Sequence, residues 1–142
     1  MLDSASLYPD LDDRYFRSDV KVRKNVEVSI GSIKPPASNP ADWSDAGIAG
    51  AWKFADGKTS TVILEMPLPL DMDRNEDVIV KIAWFSPSTT GKCKWQLQYL
   101  FRSDDEDMTA SADGTITKAV SPSSSSNGLV ITDFVIPASA IG

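Results

Sequence analysis

The stretch from Asp77 to Phe101 constrains the fold of this chain more than any other part of its sequence. Its first half alternates apolar residues with other residues, and its second half does the same after a turn rich in Ser, Thr and Gly. A period of two places every second side chain on one face of a β-strand. The stretch therefore predicts two antiparallel strands joined by the turn from Ser86 to Gly91, each with one buried face.

The buried faces of these two strands supply most of the predicted structural core. Their apolar positions keep step with one another, which is typical of side chains packed on the same side of a sheet. Cys93 alternates into the same face, where a free thiol behaves as a small buried apolar group. With one residue from an earlier strand, the predicted core comprises Trp52, Val80, Ile82, Trp84, Trp95, Leu97 and Tyr99.

Short alternating segments bounded by turn residues continue on both sides of this stretch. Asp56-Gly57 is a typical hairpin turn between two of them. The predicted strands outside the central stretch are Val20–Ile30, Ala49–Phe54, Thr59–Met66, Met108–Ala112, Thr115–Val120 and Leu129–Ile136. About eight short strands and no helical period predict an all-β fold, and specifically an antiparallel β-sandwich of the jelly-roll type.

The segment from Gly31 to Asp45 is predicted to be a long surface connection, because its three prolines cannot continue a ladder. Trp43 lies in it and would either plug the end of the core or form a contact with a partner. The last predicted strand, Leu129–Ile136, alternates only weakly. That pattern fits a strand covered on both faces or one that lies near a partner.

The N-terminal residues 1–18 are predicted to form an extended arm, with a frayed terminus as the alternative. Its apolar and aromatic side chains include Leu7, Tyr8, Tyr15 and Phe16, which we treat as candidate partner contacts together with Trp43. The remaining residues, 19–142, are long enough for one sandwich domain. Since no secretory leader is recognisable, we expect a soluble chain made in a reducing compartment.

Several kinds of chemistry are disfavoured by the residues themselves. The chain contains no histidine, which removes the usual general base and metal ligand, so we predict neither an enzyme nor a metal or cofactor site. Asp71, Asp73 and Asn75 copy the start of a calcium loop, but Glu76 stands where that loop needs glycine. A net charge of −6 disfavours nucleic acid, and no apolar run is long enough to enter a membrane.

Aromatic side chains leave one further alternative open. Carbohydrate-binding sandwiches stack sugar rings on exposed aromatic faces. Three of the four tryptophans alternate with aliphatic neighbours and are predicted to pack in the core. Trp43 alone is free to act as such a platform.

The order of features from about residue 51 to residue 136 resembles a group of small structural proteins of tailed bacteriophages. The matching elements are AWKFADG at 51–57, EMPLPLD at 65–71, VIVKIAW at 78–84, SPSTTG at 86–91 and WQLQY at 95–99. The chain departs from that pattern because it has no histidine before Trp84. It also lacks a closing strand pair after Pro137, which suggests either a shortened domain or an edge that a neighbour completes.

The resemblance implies a non-enzymatic virion protein, made in the host cytoplasm, that decorates and stabilises a capsid. The implied partner is the major capsid protein or another virion protein, and the implied assembly is a homotrimer. A carbohydrate-binding or host-adsorption module of a phage tail or fibre is the alternative. Neither nucleic acid nor membrane is an expected partner.

Overall fold

A computed structural model describes residues 25–141 of the chain. This described part contains six β-strands, all paired antiparallel, and two 3₁₀ helices of three residues each, Ile30–Ser32 and Ala138–Ala140. The all-β class predicted from the sequence is therefore confirmed. The chain divides into two compact units, the first ending at Pro67 and the second beginning at Leu68, a point inside the domain predicted to run from 19 to 142.

The N-terminal unit is built on a tight hairpin. Strand β1 spans Asp42–Ala46 and pairs with strand β2, Ala49–Lys53, through a two-residue loop. Gly47 opens that loop with a φ of 65°, a conformation that glycine adopts without steric cost. The prediction of a continuous loop up to Asp45 is therefore wrong at its end, because Pro40 precedes the strand and does not interrupt it.

The hairpin predicted through Asp56-Gly57 is wrong. Strand β2 takes β1 as its partner, and the segment predicted as Thr59–Met66 forms only isolated bridges at Thr61 and Ile63. The shorter Gly47 loop closes β1 against β2 at a lower entropic cost than a longer connection would require. The strand predicted at Val20–Ile30 is absent from its described residues 25–30, which are irregular and end in the first 3₁₀ helix.

The C-terminal unit contains four strands of seven residues each. They are β3 at Val78–Trp84, β4 at Cys93–Tyr99, β5 at Gly114–Val120 and β6 at Val130–Ile136. Strand β3 pairs with β6, and β4 pairs with β5. The predicted strands of the central stretch therefore exist, but the prediction that they form a hairpin with each other is wrong. The strand predicted at Met108–Ala112 lies in an irregular loop.

Two connections cross between the ribbons. The turn after β3 and the serine-rich loop before β6 are hydrogen-bonded to each other. The backbone N–H of Asn127 donates to the carbonyl of Ser86 at 2.8 Å, and the Ser126 hydroxyl donates to the carbonyl of Pro87 at 2.8 Å. Both connections therefore carry the chain from one two-stranded ribbon to the other, instead of reversing it within one sheet.

Side chains from the two ribbons meet between them. The Trp84 and Trp95 rings lie 5.6 Å apart, and the Lys118 ammonium lies 5.7 Å from the centre of the Phe134 ring. Among the described residues of this unit, the most buried side chains belong to β6, namely Thr132, Phe134 and Ile136. Of the predicted core residues, Trp84 is buried, and the half-buried ones are Trp52, Val80, Ile82, Trp95, Leu97 and Tyr99. Six strands in small sheets do not confirm the predicted eight-stranded jelly roll.

One polar interaction lies inside this core. The indole N–H of Trp84 donates to the hydroxyl of Thr132 at 2.8 Å, and both residues are buried. A buried donor that loses its acceptor keeps its desolvation cost without compensation. Thr132 is therefore required for its hydroxyl group as well as for its shape.

Replacing Thr132→Val should test this point, because valine retains the volume and removes the acceptor. We expect the free energy of unfolding to fall by about 1–3 kcal/mol, as for other buried polar groups left without a partner. Urea titration followed by tryptophan fluorescence measures the change. Thr132→Ser is the matched control, since it keeps the hydroxyl while removing a methyl group. A serine variant as destabilised as the valine variant, or more so, would show that packing and not the hydrogen bond is responsible.

Candidate interaction site

Trp43 is the predicted contact residue that the structure describes, and it lies on β1. It stands directly opposite Trp52 of β2, and the two rings meet edge to face, with centres 5.2 Å apart and planes at 79°. The Trp52 indole N–H donates to the carbonyl of Ile30 at 3.0 Å, which fixes that ring. Trp43 is 50% exposed. It therefore presents a large apolar surface on a fixed support.

The position of the Trp43 ring also depends on Gly50. A Cβ atom at position 50 would overlap the six-membered ring of Trp43, so only glycine leaves the space that the indole occupies. Gly50 lies diagonally across the hairpin, within reach of an aromatic side chain. The indole is thus held between Gly50 and Trp52. Its exposed half is what a contact role requires, and a side chain that merely plugged the core would be covered.

The surroundings of Trp43 are polar and mainly acidic. Asp42, Asp45 and Lys53 lie exposed on the same hairpin, and Ile48 projects fully into solvent at its tip. Tryptophan is enriched among the residues that dominate protein interfaces, where it sits inside a polar rim. We call the surface formed by Trp43, Trp52 and Gly50 the tryptophan platform. Chemically, it can stack on or bury an apolar or ring-shaped group.

The other predicted contact residues lie outside the described part of the chain. Leu7, Tyr8, Tyr15 and Phe16 belong to residues 1–24, which the structure does not describe. The arm consequently stays a prediction. The sequence also contains a signal for the platform. Trp43 and Trp52 lie four residues before and four residues after the Gly47-Ile48 turn, which is the spacing that a two-residue hairpin places face to face.

The acidic loop between β4 and β5 is organised by one arginine. The Arg102 guanidinium donates from Nη1 to both carboxylate oxygens of Asp113, at 2.9 and 3.2 Å, and from Nε to the carbonyl of Asp107 at 2.9 Å. Asp113 also accepts the backbone N–H of Phe101 at 2.7 Å. This network joins the two ends of the loop and makes it a structural feature of the hairpin.

Two carboxylates of this loop are stabilised in their charged form. The pKa of Asp113 lies below its ordinary value of 3.8. The hydrogen bond from the backbone N–H of Phe101 is the largest cause, and the hydrogen bond from the Arg102 side chain is the second. The pKa of Asp107 is lowered as well, mainly by the hydrogen bond from the Thr109 hydroxyl and secondly by the one from the Thr109 backbone N–H. Hydrogen bonds donated to a carboxylate favour its ionised form. The network is therefore complete only while both groups are charged.

These shifts predict how stability depends on pH. A pKa lowered by folding contributes stability that is fully present above the unfolded value near 4 and is lost as the pH falls through the folded value. Asp113→Asn removes the ionisable group, so the melting temperature should fall less steeply below about pH 4 than in the parent protein. Thermal melts between about pH 2.5 and 6 measure this. A variant whose melting temperature falls as steeply as that of the parent would contradict this role of Asp113.

Two further kinds of reactive group are a free thiol and clustered metal ligands. Cys93 lies half-buried on β4, in step with Trp95, as its alternation in the sequence predicted. Within residues 25–141, no three Cys, Asp or Glu side chains are close enough to hold a metal ion together. Neither of the short 3₁₀ helices in that range could span a membrane.

Comparison with known proteins adds no relative. No protein-family model matches the chain, and neither does any curated protein or solved structure with which it was compared. The resemblance to phage structural proteins therefore stays a prediction carried by the spacing of its motifs alone.

Proposed function

We propose that the protein is a non-enzymatic structural component of a virion that acts through protein–protein contacts, most specifically as a capsid decoration protein. The observation that supports this best is the tryptophan platform, in which Trp43 is half exposed and held in one position by Gly50 and Trp52. A fixed, exposed tryptophan loses little conformational freedom when a partner covers it. That property suits a permanent assembly contact.

The proposal extends to the architecture of the assembled protein. A jelly-roll-like sandwich requires sheets with more strands than the two-stranded sheets found within residues 25–141. Two-stranded sheets also have open edges, which accept further strands readily. In a homotrimer bound to a capsid, segments from neighbouring copies or from the capsid protein would extend these sheets. The N-terminal arm, residues 1–18, is the segment that we assign to this contact.

Removing the arm tests the proposed attachment. Deletion of residues 2–18 should leave the fold intact, because the described strands pair among themselves, and it should abolish attachment to the particle. The experiment co-expresses the chain with the capsid gene nearest to its own gene and measures co-sedimentation with assembled particles. Circular dichroism of the purified chain verifies folding.

A second variant separates the arm's aromatic side chains from its length. Replacement of Tyr8, Tyr15 and Phe16 by serine keeps the arm and removes its rings, and it should weaken attachment to the same extent as the deletion. Full occupancy of particles by the deleted chain would refute the arm's role. A genomic neighbourhood without any capsid or tail gene, or a full-length chain that never sediments with particles, would refute the virion function itself.

A carbohydrate-binding or host-adsorption module of a phage tail or fibre is the second candidate. It is favoured by the same exposed indole, since sugar rings stack on aromatic faces. The two candidates differ in what covers Trp43, which is a protein surface in the first and a glycan in the second.

Substitutions at the platform distinguish the two candidates. If a glycan stacks on Trp43, Trp43→Ala should abolish retention on a glycan array, whereas Trp43→Tyr should retain part of it. Gly50→Ala should also reduce retention, because its methyl group displaces the indole. Gly31→Ala, where the added methyl meets only an ordinary contact at 3.5 Å, is the matched glycine control. An array without signal for the parent protein would dispose of the carbohydrate candidate.

A further inference from the structure

The ribbon of β3 and β6 has a second face, directed away from β4 and β5, which is largely apolar. Residues directly opposite one another on the two strands share a face. On this side the register pairs Ile79 with Val135, Lys81 with Asp133, and Ala83 with Ile131. We call these six residues, together with Phe85 and Leu129, the outer ribbon face.

The alternation continues one position beyond each strand end. Phe85 follows β3 and Leu129 precedes β6, so the period of two assigns both to the same side as Ala83 and Ile131. All of these apolar residues except Ile79 are exposed. The exposed fraction is 61% for Ile131 and 67% for Leu129. The weak alternation of the last strand in the sequence reflects this second apolar side.

One charged pair interrupts the apolar surface. The Lys81 ammonium lies 3.3 Å from a carboxylate oxygen of Asp133, and both side chains are well exposed, at 60% and 43%. The chain as a whole carries a net charge of −6, whereas this face is neutral. Two copies can therefore approach one another through it without the repulsion that acts elsewhere on the acidic surface.

We infer that the outer ribbon face binds the same face of a second copy of the chain, about a twofold axis that runs parallel to the strands. Rotation about such an axis places β3 of each copy over β6 of the other. Lys81 then faces Asp133 of the second copy, and Asp133 faces Lys81 of the second copy. The apolar positions at either end pair in the same way, with Ile79 over Val135 and Phe85 over Leu129.

The charges select this arrangement over the alternative. A twofold axis perpendicular to the strands would place Lys81 over Lys81 of the second copy and Asp133 over its equivalent. Like charges in direct opposition are destabilising at an interface. Sheets that pack face to face keep their strands roughly aligned, and a rotation about either axis satisfies this condition. The charges alone therefore select the axis parallel to the strands.

The contact is separate from the homotrimer proposed above and does not depend on a virion function. A twofold contact cannot close a ring of three chains, so it produces dimers by itself and sets of six chains if trimers also form. Eight residues a side is a small interface, so the association should be reversible and should depend on protein concentration.

Charge exchange at the centre of the face tests the inference in the full-length protein. Lys81→Asp places four carboxylates at the contact, and Asp133→Lys places four ammonium groups there. Each variant alone should self-associate at least about 10-fold more weakly than the parent, because like charges meet. An equimolar mixture of the two should form mixed dimers, since every charge then faces its opposite. Analytical ultracentrifugation of each sample measures these masses.

Control variants separate association from folding. Lys94→Asp makes the same exchange on the exposed side of β4 and should leave the parent mass unchanged. Ile131→Gln alters an exposed side chain without changing charge, and it should weaken association while the melting curve stays that of the parent. A parent protein that stays a monomer or forms only trimers at millimolar concentration overturns the inference. A parent dimer that both charge variants retain unchanged, or a mixture that does not pair, overturns it as well.

Discussion

The indole of Trp84 is the group on which the C-terminal unit depends. Its ring packs against Trp95 of β4 at 5.6 Å, and its N–H binds the Thr132 hydroxyl of β6 at 2.8 Å. One side chain of β3 therefore holds its own ribbon together and also joins that ribbon to the other. Because the site is buried, the hydrogen bond gains strength from the low local dielectric and becomes costly to lose.

The sequence predicted the strands of this unit better than their partners. Alternation located β3, β4 and β6 within a residue or two, since every second position must be apolar when one face is buried. It carried no information on which strand lies beside which, because Trp84 and Trp95 keep step whether their strands share a sheet or face each other. One of the hydrogen bonds that join the two crossing loops runs from the Asn127 N–H to the Ser86 carbonyl, and these are backbone groups that any sequence possesses.

The sequence indicated one residue of the candidate site, and the contact that we assign to this residue stays a prediction. Trp43 was marked by being the one tryptophan outside an alternating run, yet its support was not foreseen. Gly50 was inconspicuous in the sequence because its importance comes from the space that its missing side chain leaves for the indole. Lys118 was equally hidden: its stem lies on the inner face of β5, and its ammonium donates to the backbone carbonyl of Asp133. A lysine in such a pattern is normally read as solvent-exposed.

The pairing order in the C-terminal unit has a consequence for how the chain folds. The pairing of β3 with β6 encloses the pairing of β4 with β5, as an outer bracket encloses an inner one. Bringing two strands together closes the chain between them into a loop, and each halving of that loop's length lowers the entropic cost of closure by about 0.6 kcal/mol. When the inner hairpin forms, the ends of β3 and β6 are separated only by the two crossing loops. On this entropic ground we expect the inner ribbon to form first and the outer ribbon, with the buried Trp84 contacts, to close onto it.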